Sequence, residues 1–194
     1  MSIVLIAGSP SEHSRSAALL DAVAERLALR QVLAERLQIR NLSPQALLLA
    51  DAGNGSIRAA VEQVEVASAL VVATPVYKAA YSGVLKVFLD LLPQSALKGK
   101  VVLPLATGGS PHHMLALDYA LRPVLQSLGA RHILPGVYAT DAQVPKFESG
   151  QYQVGPDLAP RLDEAVNTLL QETLRLPPSS RFAPVSFTDV RCSV

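Results

Sequence analysis

The chain has 194 residues, of which 49% are hydrophobic and 17% are charged, and its formal net charge is +1. The length is typical of one domain, and the low charged fraction, against an average of about 25%, predicts a large core, a subunit interface or both. The net charge predicts no strong electrostatic field, and the sequence shows no basic stripe of the kind that nucleic-acid-binding proteins carry. The single cysteine, Cys192, excludes an internal disulfide, and no Cys/His cluster has the spacing of a metal site.

The first residues lack the pattern of a secretion signal. Met1–Val4 carries no charged segment ahead of a long apolar one. No stretch of the chain reaches the roughly 18 uninterrupted apolar residues of a membrane-spanning helix. We therefore expect a cytoplasmic protein that contacts neither membranes nor nucleic acids.

The first third of the chain alternates between strand and helix patterns. Ile3–Ala7 is a short apolar run that predicts a strand, and Ser16–Leu29 carries apolar residues at helical spacing. A weaker strand pattern follows at Ala34–Ile39. Asn54 is placed to cap a helix over Ile57–Ala67.

The alternation continues with strands that are apolar throughout. Ala69–Ala73 has the sequence ALVVA and Val101–Ala106 has VVLPLA, as is typical of strands covered on both faces. Pro104 is unusual there, because proline removes a hydrogen-bond donor from the sheet. The other predicted elements are a helix at Gly83–Leu92, a helix at Met114–Leu128 with Pro123 inside it, a strand at Ile133–Ala139 and a helix at Leu158–Leu174.

Strands that alternate with helices predict an α/β domain with a parallel sheet and helices on both faces. Five strands favour the order 2-1-3-4-5 of the flavodoxin-like doubly wound fold. We assign residues 1–176 to this domain and residues 177–194 to a C-terminal tail. Phe182, Val185 and Phe187 make the tail too apolar for a purely solvated segment, so we expect it to pack on another subunit.

Ligands of doubly wound sheets bind beyond the carboxyl ends of the strands, near the point where the strand order reverses. The predicted strands place three loops at that edge. The first is Gly8–Ser16, the second is Thr74–Ser82 and the third is Thr107–His113.

The first loop has the composition of a phosphate site. Ser9, Ser11, Ser14 and Ser16 supply hydroxyl groups, and the free N–H groups of the following helix face the loop. Arg15 adds a forked, charged donor. The loop matches neither the P-loop nor the dinucleotide fingerprint, so a single phosphate fits better than a pyrophosphate. The alternative is that the serines only cap the helix.

The second loop combines flat and charged side chains. Tyr77 and Tyr81 offer aromatic faces, Lys78 offers a cation, and Pro75 stiffens the exit from the strand. A planar ring could lie against this backbone. The alternative is an ordinary loop whose tyrosines pack on the surface.

The third loop allows a close approach of backbone to a ligand, because Gly108 and Gly109 have no side chains. His112 and His113 are adjacent and cannot both face one metal on a regular helix. We expect these histidines to be exposed polar residues at a helix start.

Four segments together resemble a known family. They are GSPSEHSRS, ATPVYKAAYSGVLKVFLDLLP, GKVVLPLATGG and LDYALRPVLQSLGA. They resemble the NADPH-dependent FMN reductases of two-component alkanesulfonate monooxygenase systems. The resemblance runs from Ile3 to Ala142 and is poor from Val144 onward.

The resemblance implies a flavodoxin-like fold, FMN as the flavin and NADPH as the electron donor. Many relatives have a basic residue where this chain has Ser11, which leaves more of the phosphate contact to Arg15. The implied phosphate contacts are Ser9, Ser14, Arg15 and Ser16. The implied ring contacts are Pro75, Val76, Tyr77, Lys78, Thr107, Gly108 and Gly109.

The resemblance also implies self-association through Tyr119. In this subgroup a tyrosine inserted in the corresponding helix forms a π-bulge at a tetramer interface, and such bulges are often functional. Pro123 agrees with disturbed bonding, since it cannot donate to the carbonyl of Tyr119. The alternative is a tyrosine on an ordinary helix. We expect a homo-oligomer, either a dimer or a tetramer.

The function that these observations favour is hydride transfer from NADPH to FMN, with reduced FMN released to a partner monooxygenase. The hydride step requires no catalytic side chain, because the cofactor carries the chemistry. Lys78 and backbone amides could stabilise negative charge on the reduced flavin. The preference for NADPH over NADH stays open.

Three other functions stay open. One is a quinone or azo reductase that retains its FMN. Another is a flavodoxin-type electron carrier, against which the net charge of +1 argues, because such carriers are typically acidic. The last is a module that binds some other phosphate ligand.

Overall fold

The central sheet is built from parallel strands that alternate with helices along the chain. A computed structural model of the protein describes residues 1–176. Its strands are β1 (Ile3–Ala7), β2 (Ala34–Gln38), β3 (Ala69–Tyr77), β4 (Ala80–Tyr81), β5 (Val101–Gly108), β6 (His132–Ile133) and β7 (Val137–Thr140). Its α-helices are α1 (Arg15–Leu29), α2 (Pro44–Leu48), α3 (Gly55–Val66), α4 (Gly83–Leu89), α5 (Arg122–Ser127) and α6 (Ala159–Arg175).

The strand order confirms the predicted doubly wound topology. The order is β2-β1-β3-β5-β6, and β7 pairs with β5 further along the same edge. All of these pairings are parallel. Because β5 is the fourth long strand and β6 and β7 are two halves of the fifth, the order corresponds to 2-1-3-4-5, the flavodoxin-like arrangement. The short antiparallel strand β4 was not predicted.

The fifth strand is broken, whereas the sequence predicted one strand over Ile133–Ala139. The break lies opposite Pro104 of β5 and has a physical cause. Val102 O accepts a hydrogen bond from Leu134 N, at 2.9 Å, so Val102 and the residue two positions later direct their backbone groups to this neighbour. Pro104 has no N–H to donate there. Regular pairing resumes only at Val137.

Side chains of the sheet alternate between two apolar layers. Ile3 and Leu5 of β1 pack on the layer formed with α1 and α6, whereas Val4 and Ile6 pack on the layer formed with α3, α4 and α5. Ala69–Ala73 is buried on both faces, as its apolar run predicted. This packing fixes the sheet, so the positions of its carboxyl-end loops follow from it.

The helix caps Ser14 and Asn54 are confirmed, although α1 begins at Arg15, one residue before the predicted start, and α3 begins at Gly55, two residues before it. Ser14 precedes α1 and accepts from Ala17 N, and Asn54 precedes α3 and accepts from Ser56 N. The sequence missed α2, whose five residues are too few to show a helical period.

Three predicted elements are wrong in their extent. β3 continues to Tyr77 and forms a hairpin with β4, so much of the predicted loop Thr74–Ser82 is strand. The predicted helix Met114–Leu128 is interrupted: a 3₁₀ turn at Pro111–Leu115 and a π-helical turn at Leu117–Leu121 precede α5. α4 also ends at Leu89, earlier than the predicted Leu92.

The predicted tail, residues 177–194 with Phe182, Val185 and Phe187, lies outside the described residues. Its expected contact with another subunit stays a prediction. Within residues 1–176, no helix combines the length and the apolar character needed to cross a membrane.

Candidate functional site

The first two loops are joined at the carboxyl ends of β1 and β3. Gly8 N donates to Ala73 O at 2.8 Å, and the Ser82 hydroxyl donates to Gly8 O. A Cβ at Gly8 would lie 2.9 Å from Ala73 O, so this position requires glycine. The two loops therefore form one connected surface.

The side-chain hydroxyl of Ser14 caps the N-terminus of α1. Its Oγ accepts from Ala17 N at 3.1 Å and lies 3.2 Å from the Ser16 Oγ. The capping alternative considered for the serines is thus correct for Ser14. Capping uses the Ser14 oxygen as an acceptor, and one hydroxyl of the Ser14–Ser16 pair donates to the other, so the remaining hydroxyl proton of the pair stays available for a ligand.

Several donors of the first loop have no acceptor among residues 1–176. They are the backbone N–H groups of Arg15 and Ser16 and the hydroxyl of Ser9, whose oxygen accepts from Ser11 N at 3.1 Å. Ser9 and Ser16 are buried, with 3% and 1% of their surface exposed. The open N-terminus of a 15-residue helix adds its positive dipole end. This donor set is complementary to an anion.

Arg15 does not extend freely over the loop. Its Nε donates to Val144 O at 3.1 Å, its Nη1 lies 3.3 Å from Asp141 Oδ2, and its Cζ lies 4.8 Å from the centroid of the Tyr152 ring. Sequence reasoning missed these partners. The carboxyl-end rule could have found Asp141, because it directly follows β7.

The second loop is a tight hairpin rather than an irregular loop. Val76 pairs with Tyr81, and Tyr77 pairs with Ala80, around a turn at Lys78 and Ala79. Both turn residues have positive φ, +49° and +65°. Hairpin turns of this kind usually contain glycine or asparagine, and each other residue costs about 1–2 kcal/mol. The turn presents Lys78 and the half-exposed Tyr77 at its tip.

Buried hydroxyl groups hold the base of this hairpin. Thr74 Oγ1 accepts from Ser82 N at 3.0 Å and donates to Pro75 O at 2.9 Å. Ser82 Oγ in turn accepts from Leu85 N at 3.1 Å and caps α4. The hairpin is therefore anchored at its base and exposed at its tip.

The third loop begins at Gly109, two residues later than predicted, because Thr107 and Gly108 still belong to β5. The Tyr138 hydroxyl donates to Ser110 O at 2.6 Å. Burial raises the pKa of Tyr138, and the nearby Asp141 raises it further, so the phenol keeps the proton that it donates.

The two glycines of the third loop have different surroundings. A Cβ at Gly108 would lie 2.5 Å from the Tyr138 hydroxyl, so Gly108 makes room for that side chain. Gly109 is exposed, and a Cβ there would meet only Asp141 Oδ2, at 3.9 Å. Gly109 therefore leaves open backbone facing solvent. His112 and His113 are exposed at the start of a 3₁₀ turn.

A π-helical turn surrounds Tyr119, at Leu117–Leu121, and Arg122 N donates to Leu117 O five residues back. Tyr119 is 79% exposed, beside the half-exposed Met114 and Leu115. The local geometry agrees with the π-bulge that the resemblance implies. The role of Tyr119 at a subunit interface stays a prediction.

A polar groove borders the first loop on its outer side. It has a volume of about 500 Å³ and runs between α1 and the segment Gln151–Pro156. Asp21 and Glu25 line it, so its charge disfavours a second anion there.

Replacing Gly108 by alanine should lower the free energy of unfolding by about 1–3 kcal/mol, because the new Cβ clashes with the Tyr138 hydroxyl. Tyr138→Phe alone should lose about 1 kcal/mol with its hydrogen bond. The double variant should lose less stability than the sum of the two single losses, because removal of the hydroxyl leaves the Tyr138 ring carbon Cζ as the neighbour of the new Cβ, at 3.4 Å. Urea unfolding followed by circular dichroism measures all three. Gly55→Ala, where a Cβ meets nothing within 4 Å, is the control, and strictly additive losses would refute the packing argument.

Comparisons with known proteins show which family this chain belongs to. The model of the family described as NADPH-dependent FMN reductase matches residues 1–144. An Escherichia coli K12 protein named FMN reductase (NADPH) is 48% identical over 171 residues, which cover 88% of this chain and 89% of that protein. A Pseudomonas putida KT2440 protein of the same name is 43% identical, with 91% and 90% covered.

A solved structure agrees with these relatives. The apo form of an NADH:FMN oxidoreductase called EMOB superposes with a TM-score of 0.79 at 41% identity, covering 97% of this chain and 99% of that one. The predicted enzyme class, the flavin FMN and the donor NADPH match the description of the family, and these predictions are confirmed at that level. The chain belongs to the NADPH-dependent FMN reductase family and is an FMN-reducing oxidoreductase.

Proposed function

We propose that FMN lies across the three loops, with its phosphate on the first loop and its ring between the hairpin and the third loop. The observation that carries this proposal is the set of donors at the start of α1. The amides of Arg15 and Ser16 and the hydroxyl of Ser9 lack acceptors among residues 1–176. A phosphate is the anion that such a helix terminus suits.

Each loop has a defined task in this arrangement. Bound FMN supplies the ring that accepts a hydride from the nicotinamide. The first loop binds the phosphate through neutral donors and Arg15. The hairpin from Pro75 to Lys78 borders the ring, and the exposed backbone at Gly109 approaches it from the third loop. Lys78 places a positive charge beside the ring, which favours the reduced state.

We further propose that FMN is exchanged as a substrate and passes, once reduced, to a partner monooxygenase of the alkanesulfonate type. The four quoted segments support this partner through their resemblance to such reductases. NADPH is proposed as the preferred donor, because the relatives named for NADPH share 48% and 43% of their residues with this chain. A cytoplasmic location agrees with a soluble electron donor and stays a prediction.

Purified protein should be nearly colourless and should oxidise NADPH at a rate that rises and saturates as FMN is added. The measurement is NADPH absorbance with FMN omitted and then added in steps, repeated with NADH. A yellow protein that needs no added FMN, but needs a quinone or azo dye, would instead indicate a reductase with bound flavin. Absence of NADPH and NADH oxidation under both conditions would contradict the reductase function.

Arg15→Ala should weaken FMN binding by about 1.5–3 kcal/mol, or roughly ten- to a hundredfold, because a charged contact to the phosphate is lost. Riboflavin, which has no phosphate, should bind almost unchanged. Quenching of flavin fluorescence measures both affinities. Arg175→Ala is the control, since Arg175 makes an exposed ion pair with Glu172 at the far end of α6. Equal losses of affinity for FMN and riboflavin would contradict the placement of the phosphate on the first loop.

We propose that Met114, Leu115 and Tyr119 form a self-association surface. Their side chains are 54%, 53% and 79% exposed, and they lie on consecutive turns that also contain the π-helical segment. Exposed apolar side chains that cluster in this way are typical of subunit interfaces. The low charged fraction of the chain, 17%, favours the same conclusion.

Tyr119→Asp should lower the molar mass in solution, because it places a charge in the proposed interface. Light scattering after size-exclusion chromatography measures the mass. Leu33→Asp is the matched control, since Leu33 is 90% exposed and lies away from this surface, before β2. An oligomeric wild-type protein whose mass is unaffected by Tyr119→Asp would place the interface elsewhere.

A further inference from the structure

Asp141 places a negative charge inside the candidate phosphate site. It directly follows Thr140, the residue of β7 that pairs with Gly108. Its carboxylate therefore lies at the third loop, and a Cβ at Gly109 would be 3.9 Å from its Oδ2. The same oxygen lies 3.3 Å from the Nη1 of Arg15 on the first loop. Asp141 thus bridges the two loops that the proposed FMN would also bridge.

The contacts of Arg15 separate into one charged partner and two neutral ones. Val144 O and the Tyr152 ring hold the guanidinium in place without neutralising it. Asp141 supplies the negative charge. Its carboxylate and the Arg15 guanidinium form an ion pair without an aligned hydrogen bond. Its side chain is 47% exposed and that of Arg15 is 29% exposed, so an incoming anion can reach the pair.

We propose that Asp141 is a specificity-determining residue whose carboxylate competes with the flavin phosphate for the Arg15 guanidinium. The inference rests on the proposed function, because it takes the first loop as the phosphate site. Competition lowers the affinity for FMN in particular, since riboflavin has no phosphate to exchange with the carboxylate. It also gives Arg15 a counter-charge when the flavin leaves, so release does not leave an unpaired cation.

The test is a double-mutant cycle on two flavins. Asp141→Asn keeps the size of the side chain and removes its charge, while Val144 O and Tyr152 still position Arg15. The dissociation constants of FMN and riboflavin are measured by fluorescence quenching for the wild type, Asp141→Asn, Arg15→Ala and the double variant. Asp157→Asn removes a charge in the 3₁₀ turn that precedes α6, at a position without an ion pair to Arg15, and serves as the control.

We expect Asp141→Asn to tighten FMN binding about two- to fivefold, as for the loss of one partly exposed ion pair, and to leave riboflavin unchanged. The gain should shrink in the Arg15→Ala background and should be absent in Asp157→Asn. Weaker or unchanged FMN binding, an equal change for riboflavin, or the same gain with and without Arg15 would each overturn the inference.

The cycle distinguishes failure of this inference from failure of the proposed function. If Arg15→Ala weakens the binding of FMN but not of riboflavin, the phosphate site is supported. The remaining variants then test the role of Asp141 alone. If Arg15→Ala affects neither flavin, the phosphate site itself is wrong and the inference falls with it.

Discussion

The backbone of Gly8 is bonded to two other segments at the point where β1 ends. Its N–H donates to Ala73 O of β3, and its carbonyl accepts from the Ser82 hydroxyl at the start of α4. These bonds bring the serine-rich loop against the hairpin of the second loop, and a side chain at Gly8 would separate them. The candidate site depends on this close approach, because the strands alone only bring the loops to the same edge of the sheet.

Around this junction the chain departs from regular structure at three places. The fifth strand breaks opposite Pro104, which lacks a donor. The Lys78–Ala79 turn has positive φ at both residues, which the tight hairpin requires. The π-helical turn at Leu117–Leu121 lies in contact with β4 of that hairpin. Such departures are often found at functional sites, where surrounding structure maintains them.

The electrostatics of the site are modest. Neutral amides and hydroxyls supply most of the donors of the first loop, and the cation there, Arg15, is shared with Asp141. A site built in this way binds a phosphate with less affinity than one with an unshared cation. Moderate affinity suits a flavin that is exchanged rather than retained, which links the charge distribution to the proposed transfer of reduced FMN.

The amino-acid sequence by itself determined the class of fold and which loops lie at the carboxyl edge of the sheet. Apolar runs such as Ala69–Ala73 and the helix cap at Ser14 are local patterns, set by neighbours within a few residues, so strand order and loop positions could be inferred from them. The family was also recognisable, because the four quoted segments are contiguous stretches of sequence that need no tertiary contact to be read. The sequence could not locate short or interrupted elements such as α2 and the two halves of the fifth strand.

Only the tertiary structure decided what surrounds the key side chains. Arg15 bonds to Val144, 129 positions later in the chain, and Tyr138 occupies the space that a side chain at Gly108 would need. The hairpin that extends β3 likewise depends on Thr74 bonding to Ser82. Contacts of this kind arise from packing between distant segments, and no local spacing encodes them. The sequence could thus name candidate residues for the site, while only the fold determined which residues surround each of them.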